Sequence, residues 1–448
     1  MPTTTISATT IPSPASNPTS FLPKSMKHTK TEFKADQVYV SHPYVVTFSG
    51  EATNIYEIES SGLQHITSLS EPVTDYLPQN SVIVDPSRDA LIIAGKRVYA
   101  FNLHDGQLQN TIGLFGTSHG PTIYDRGRVL VTLSDDTEED EEECWILACN
   151  PFDLEPAGYS FLTEIRVART ETFMHYHLVH SSAEYGVVVG QHTSKTQQPL
   201  ILHYWSPEGQ PYDDSLPPIY TVEIPMTLEC AESIIADYAA SIDDDCFALA
   251  TLETVLGSPD APGTHQTVVR THQLPTLETL WESQPVDGRL IHFYHLPAEG
   301  IILAIGSLVE WEDSSNPDNI GYGTWILALD VENGERKQFA KLNHRKIGKE
   351  LVECDITTCV AEDGEIIVSE DPNLVFISSV GDIATLPFSK FLDEGLSSDT
   401  FSRLHETCHS SGLQLKDIPR LTVTKRASVG DGSAAVLDDD GFLSIFTW

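Results

Sequence analysis

The chain has 448 residues, 40% of them hydrophobic, which is enough to bury the core of one large closed unit or of several ordinary domains. Lys and Arg number 26 and Asp and Glu number 65, so the formal net charge is −39. A field of this sign repels the phosphates of nucleic acids and anionic lipids, so direct binding to nucleic acid or to a membrane is not expected, whereas a basic protein would be attracted. The alternative is that the acidity only keeps a large protein soluble.

The compartment is predicted from features that the sequence lacks. The seven cysteines are scattered, and none shows the C-x-x-C spacing of zinc or redox sites. Asn-x-Ser/Thr sequons, an apolar leader and an apolar run of membrane-spanning length are also missing. These observations predict free thiols in a reduced compartment, either the cytoplasm or the nucleus.

Residues 1–32 differ in composition from the rest of the chain. They are rich in Ser, Thr and Pro and contain few large apolar side chains. Such a segment cannot bury enough apolar surface to offset the conformational entropy that ordering would cost, so a disordered N-terminal tail is predicted.

From Phe33 onward one pattern recurs along the chain. An apolar, β-branched run is followed by a short polar turn and by a second run that ends at Asp-Gly, Asn-Gly or a similar turn. The two-residue alternation within the runs predicts strands, and the turns are those of hairpins. Eight hairpins follow from this pattern, at residues 44–62, 90–107, 128–153, 185–210, 246–274, 300–335, 365–382 and 433–448.

The spacing of the hairpins predicts the architecture. They recur at intervals of roughly 40 to 70 residues, and most are flanked by further short apolar runs, which together are typical of four-stranded propeller blades. Residues 33–448 are therefore predicted to form an all-β fold, a single β-propeller of about eight four-stranded blades, with seven blades as the alternative. Stacked β-sandwiches would need linkers, and none is visible. Residues 389–412 place apolar residues at helical spacing, which predicts a short helical insertion.

Short stretches of the repeats carry a family resemblance. RVYAFNLHDGQLQNTIG from Arg97 and TWILALDVENGERKQF from Thr324 are similar to the repeat of quinoprotein-like propellers. AAVLDDDGFLSIFTW at the end resembles the closing strands of WD-repeat proteins, although the Gly-His and Trp-Asp dipeptides of standard WD repeats are missing. The chain thus resembles a divergent member of these propeller superfamilies. The resemblance implies closure of the ring by an N-terminal strand, from around residues 31–35, that pairs with residues 442–448.

The densest charged feature is the segment DDTEEDEEE at residues 135–143, which holds eight acids in nine positions. It falls between the two strands of the third hairpin, so it is expected to protrude as a loop, and its like charges repel one another. The loop is either a solvated connection or an arm that captures a basic partner. The acids are Asp135, Asp136, Glu138, Glu139, Asp140, Glu141, Glu142 and Glu143.

A second candidate site is the run Glu310, Trp311, Glu312 and Asp313. An indole flanked by carboxylates suits a Lys or Arg side chain through cation–π contact and ion pairing. The acidic runs at 243–245 and 438–440 are explained by turn formation alone, since Asp favours turns. These features predict a non-catalytic protein-interaction scaffold or adaptor, whose partner is a basic protein or a subunit of a larger complex.

Other functions remain open at this point. No P-loop and no G-x-G-x-x-G fingerprint occurs, and no catalytic residue, metal ligand or cofactor is predicted. His175 and His177 are expected on one strand face with His180 on the other, and a metal would need a further ligand from another blade. The alternative is a propeller enzyme or small-molecule binder with a polar site at the central channel. A third possibility is a subunit that docks through outer blade edges, recognisable by an apolar patch.

Overall fold

The computed structural model describes most of the chain from residue 27 onward. The described residues are 9–10, 27–50, 52–59, 62–71, 73, 81–95, 97–113, 117–125, 128–134, 143–152, 160–166, 174–182, 186–193, 197–205, 218–228, 231–255, 264–311, 320–343, 373–377, 383–395, 424–430, 433–438 and 441–447. They form 32 strands, one 3-10 turn (Pro86–Arg88) and one short helix, so the predicted all-β class is confirmed.

The chain begins with two strands that join the last sheet, and sheets 1 and 2 follow. The first two strands are β1 (Thr9–Thr10) and β2 (Lys27–Lys34). Sheet 1 consists of β3 (Gln37–Ser41), β4 (Tyr44–Phe48), β5 (Thr53–Glu59) and β6 (Gly62–Ser68). Sheet 2 consists of β7 (Val82–Asp85), β8 (Ala90–Ala94), β9 (Arg97–Asn102) and β10 (Leu108–Gly113).

Sheets 3 to 5 repeat this arrangement. Sheet 3 consists of β11 (Thr117–Asp125), β12 (Arg128–Ser134), β13 (Glu143–Cys149) and β14 (Ser160–Arg166). Sheet 4 consists of β15 (Met174–Ser182), β16 (Gly186–Thr193), β17 (Leu200–Trp205) and β18 (Tyr220–Ile224). Sheet 5 consists of β19 (Ser233–Ser241), β20 (Cys246–Val255), β21 (Thr264–Gln273), β22 (Glu278–Glu282) and the short β23 (Val286–Asp287) beside β21.

Sheets 6 to 8 complete the chain. Sheet 6 consists of β24 (Arg289–Leu296), β25 (Ile301–Trp311), β26 (Ile320–Asp330) and β27 (Arg336–Asn343). Sheet 7 consists of β28 (Asn373–Ile377) and β29 (Ile383–Pro387). Sheet 8 consists of β30 (Thr424–Gly430), β31 (Ser433–Asp438) and β32 (Phe442–Thr447), followed in space by β2 and β1.

The strand order and the contacts between sheets place the first strands of sheets 1 to 6 and of sheet 8 at the axis of a ring. In sheets 1 to 6 the strands are antiparallel neighbours in chain order. Strand β3 contacts β30 and β7, β15 contacts β11 and β19, and β19 contacts β24. Sheets that meet along their first strands and fan outward form a β-propeller, so this prediction is confirmed. Sheet 7 has two strands within the described residues, and the blade number of eight or seven stays a prediction.

The hydrophobic core lies between consecutive sheets. Between sheets 1 and 2, Val46, Phe48 and Ile55 pack with Leu91 and Ile93. The same kind of cluster lies between sheets 2 and 3, 4 and 5, 5 and 6, and 8 and 1. Because a second strand has a neighbouring sheet on either side, β8 is buried along its whole length, which is why its sequence ALIIA shows no polar alternation.

The ring is closed by strand β2, which pairs antiparallel with the last strand β32. The Ala35 N–H donates to the Gly441 carbonyl over 2.8 Å, and the Thr31 hydroxyl donates to the Leu443 carbonyl over 3.2 Å. The predicted closure by an N-terminal strand is therefore confirmed. The predicted start of the propeller was residue 33. The propeller in fact includes residues from Lys27 onward, because the closing strand β2 pairs with β32 as far as Lys27.

The helix α1 (Phe388–Glu394) follows β29 and falls at the start of the predicted helical insertion 389–412. Phe388 and Phe391 are buried. Gly395 ends the helix with a left-handed φ of 68°, and its N–H donates to the Phe391 carbonyl over 2.8 Å. Residues 396–412 of the insertion lie outside the described residues. No helix in the described part of the chain is long and apolar enough to cross a membrane.

Candidate functional site

The course of the strands decides which turns share an end of the ring. First strands lie side by side around the axis, and each following strand is antiparallel to the one before it. Every link between a second and a third strand therefore emerges at the same end, which we call the hairpin end. Turns from first to second strands, and from third to outer strands, emerge at the opposite end.

The strands that flank the acidic segment 135–143 end at the hairpin end. They are β12 and β13, the second and third strands of sheet 3, and their pairing reaches Ser134 opposite Cys144. Glu143 is the first residue of β13. The other acids of this predicted site lie outside the described residues and are Asp135, Asp136, Glu138, Glu139, Asp140, Glu141 and Glu142.

The second predicted site continues a long hairpin in sheet 6. Strands β25 and β26 have 11 residues each, compared with five in β4, and they pair as far as Trp311 opposite Ile320. The backbone of Glu310 and Trp311 thus lies at the hairpin end. Glu312 and Asp313 lie outside the described residues.

The remaining acidic runs lie at different ends of the ring. Asp438 is the last residue of β31, a second strand, so it belongs to the hairpin end. Residues 243–245 form the exposed turn between β19 and β20, which is at the opposite end. In that turn the Asp243 carboxylate accepts the N–H of Asp245 over 2.8 Å, which is the usual way in which Asp stabilises a turn.

A buried charged network lies in sheet 5, where the acidic pattern of the sequence did not indicate one. The side chains of Arg270 and Glu253 are 1% and 0% exposed. The Arg270 guanidinium donates to Glu282 over 2.6 Å, and Glu253 accepts the N–H groups of Thr227 and Leu228 over 2.8 and 2.9 Å. The network ties the link between sheets 4 and 5 to β20, β21 and β22. The sequence feature that could have indicated this network is a single charged residue inside each of two apolar runs, Arg270 in TVVRT and Glu253 in TLETV.

Asp85 joins sheets 2 and 3. Its carboxylate accepts the Arg88 guanidinium N–H over 2.7 Å and the hydroxyls of Ser87 and Tyr124 over 2.5 Å each. Burial raises the pKa of Asp85, but the hydrogen bonds outweigh burial and lower the pKa to about 2. Burial and the bond to Asp85 raise the pKa of Tyr124. The cluster holds two sheets together and is structural.

The first strand of sheet 5 carries a half-buried acid, Asp237. Asp237 is the extra residue of a bulge between Ala236 and Tyr238, and its Oδ2 atom is buried without a hydrogen-bond partner. Burial raises the pKa of Asp237 to about 6, and the positive charge of Arg289 on β24 acts in the opposite direction. An enzyme site at the channel would need several converging groups of this kind, and Asp237 supplies one.

The face on which His180 lies differs from the expectation. A bulge after Leu178 sets His177 opposite Gly190 and His180 opposite Val188, two residues apart on β16. His180 thus shares the face of His177, and the prediction of opposite faces is wrong, because the bulge adds one residue to the alternation. Among the described residues, no group of three or more His, Cys, Asp or Glu side chains could hold a metal.

Two pentapeptides match the sequence patterns of catalytic motifs. Residues 116–120 read Gly-x-Ser-x-Gly, but Ser118 is paired opposite Leu133 inside strand β11, whereas a hydrolase nucleophile lies on a sharp turn between a strand and a helix. Residues 405–409 read His-Glu-x-x-His, the pattern of zinc metalloproteases, and lie outside the described residues.

Comparison with known proteins returned similarities in structure alone. No protein-family model matches the sequence, and no curated protein matches it. BamB from Moraxella catarrhalis has 11% identity and a TM-score of 0.45, with 94% of this chain and 98% of that chain covered. The Dos1 propeller has 9% identity and a TM-score of 0.44, with 94% and 93% covered. A chain of the mitotic checkpoint complex has 9% identity and a TM-score of 0.39, with 98% and 93% covered. The propeller assignment rests on the sheet order of this chain.

Proposed function

We propose that this protein is a non-catalytic protein-interaction scaffold of the cytoplasm or nucleus. Its propeller holds acidic segments at the hairpin end, and these segments capture a basic protein partner. A closed ring of packed sheets is a rigid platform, and a strong negative potential speeds the encounter with a positively charged surface.

The proposal rests on three acidic segments whose flanking strands end at the same end of the ring. The strands flanking residues 135–142, 312–319 and 439–440 all end at the hairpin end. Charges held at one end of a ring act together on an approaching partner, which is more effective than the same charges scattered over the surface.

The experiment removes the charge without removing the segment. In one variant the acids at 135–143 become Asn and Gln, and binding of a synthetic Lys- and Arg-rich peptide to the full chain is measured at low and high salt. We expect the variant to bind about tenfold more weakly and with a shallower salt dependence, because fewer ion pairs are screened.

The matched control neutralises three acids at the opposite end, with Asp243→Asn, Asp244→Asn and Asp245→Asn. Asn retains the side-chain oxygen that accepts the turn N–H, so the fold is preserved. Equal affinity and equal salt dependence in the 135–143 variant and the wild type would reject the role of the acidic segment.

The enzyme alternative is tested by metal content. A non-catalytic scaffold is expected to purify without stoichiometric zinc. One zinc per chain that disappears in the His405→Ala variant would show that residues 405–409 are a metal site, and hydrolysis of a peptide substrate that is lost with the zinc would contradict the proposal.

A further inference from the structure

The bulge in β19 places Asp237 at the inner edge of its strand. Ala236 packs in the core between sheets 4 and 5, and Tyr238 packs against the core between sheets 5 and 6. The residues on either side of Asp237 thus cover the two faces of the strand. Among the described strands β19 pairs only with β20, and the other edge of a first strand faces the axis of the ring. Asp237 therefore lies beside the central channel, and bulges commonly re-aim a side chain in this way.

The carboxylate at this edge is incompletely hydrogen bonded. Its Oδ2 atom is buried, and no group among the described residues forms a hydrogen bond with it. The residue as a whole is only half-buried, so the carboxylate group is not sealed off from the channel. An acceptor in this state costs free energy in the free protein, and the cost is recovered when a donor reaches the carboxylate.

Arg289 supplies positive charge without neutralising Asp237. It is the exposed first residue of β24, so it lies at the hairpin end, where first strands begin. Its charge lowers the pKa of Asp237, but burial is the larger effect and raises this pKa to about 6. At pH 7.5 the carboxylate is therefore mostly ionised, and the folded chain compensates its charge poorly. Groups in this state are frequent at binding sites, where a ligand provides the compensation.

The carboxylate is within reach of a partner that docks at the hairpin end. Asp237 is the fifth residue of β19, which begins at this end with Ser233. At about 3.3 Å per residue, Asp237 lies roughly 13 Å below the start of the strand. A long side chain on a protruding segment of a partner spans this depth. The strands that flank the acidic segments 135–142, 312–319 and 439–440 end at the same end of the ring.

We propose that Asp237 is the anchor of the captured partner: a Lys or Arg side chain of the basic protein enters the central channel from the hairpin end and pairs with this carboxylate. The inference rests on the proposed function, because the acidic segments bring the basic partner to that end, and it adds the residue that holds one cation. An ammonium or guanidinium group carries the charge and the several N–H donors that Asp237 lacks in the free chain.

The test measures the affinity of the full chain for a synthetic peptide that is rich in Lys and Arg and contains no His. Asp237→Asn keeps the shape of the side chain and removes its charge. We expect the dissociation constant to rise about tenfold at pH 7.5. Because protonation of Asp237 near pH 6 removes the same contact from the wild type, the difference should shrink to about threefold at pH 5.5.

Two further variants separate a specific pair from the general negative field. Glu232→Gln removes one charge just before β19 and leaves the backbone bond from its N–H to the Thr254 carbonyl intact, so its affinity should stay within about twofold of the wild type. Arg289→Gln removes positive charge near Asp237 and should tighten binding by about twofold or more. Equal losses in the Asp237 and Glu232 variants, or weaker binding in the Arg289 variant, would overturn the anchor.

The neutralised 135–143 variant distinguishes the anchor from the proposed function. Wild-type affinity in Asp237→Asn, together with weak binding in the neutralised variant, refutes the anchor and leaves the proposed function standing. The reverse result supports the anchor and rejects the role of the acidic segment. A peptide that does not bind the wild-type chain refutes both.

Discussion

At the scale of residues, buried charges in this propeller connect strands and sheets. Arg270 forms ion pairs with Glu253 and Glu282. Asp85 forms an ion pair with Arg88 and accepts hydrogen bonds from hydroxyl groups. A buried ion pair of this kind sets geometry more than it adds net stability, since desolvation offsets much of the attraction. Asp237 differs, because one of its carboxylate oxygens is buried without a hydrogen-bond partner.

The pKa of Asp237 predicts how stability depends on pH. Burial raises this pKa from 3.8 to about 6, so the folded chain binds the proton more tightly than the unfolded chain. The stabilisation is fully present below pH 3.8 and is lost as the pH rises through 6. Asp237→Asn removes the ionised form, so we expect the variant to exceed the wild type by about 2–3 kcal/mol at pH 8 and to equal it at pH 4.

Denaturant unfolding at both pH values measures this difference. The control is Glu299→Gln, which removes a carboxylate in the exposed turn before β25. A variant of Asp237 that is equally or less stable than the wild type at pH 8 would mean that the carboxylate is solvated or paired in the folded chain.

At the scale of elements, the closing sheet combines strands from both ends of the chain. Strand β32 would present an unpaired edge without β2, and Ala435, Leu437, Leu443 and Ile445 belong to the core cluster that sheet 8 shares with sheet 1. The contacts of β2 therefore protect both the edge and the core of this sheet.

Truncation of the N-terminus tests this role. Removal of residues 1–34 is expected to lower the melting temperature strongly and to cause aggregation, because an edge strand and part of a core are exposed together. Removal of residues 1–8, which precede β1, serves as the control and is expected to change neither property. Thermal unfolding with light scattering measures both, and a monomeric chain with unchanged stability after the longer truncation would disprove closure by β2.

At the scale of the whole molecule, the net negative charge destabilises the compact folded state through self-repulsion. With 65 acidic and 26 basic residues, the folded chain concentrates negative charge that the unfolded chain spreads out. Salt shortens the Debye length from about 30 Å at 0.01 M to about 8 Å at 0.15 M, so the repulsion weakens within the physiological range.

The melting temperature is therefore expected to rise by a few degrees, roughly 3–6 °C, between about 0.01 and 0.3 M NaCl at pH 8. The neutralised 135–143 variant carries fewer charges and should show a smaller rise. Calorimetry at several salt concentrations measures the effect, and a melting temperature that stays constant or falls would show that self-repulsion does not limit stability.

The sequence by itself determined the strands and their repetition, because alternation and turn chemistry are local. The run RVYAFN became β9, and the Asp-Gly turn after it lies where a hairpin was predicted. The tertiary structure decided the bulge at Asp237, the burial of Arg270 and the exposure of Leu280, since each depends on the strands and sheets that happen to lie alongside. It also decided which acidic turns share an end of the ring, because the direction of a strand follows from its place in the sheet and not from its own residues.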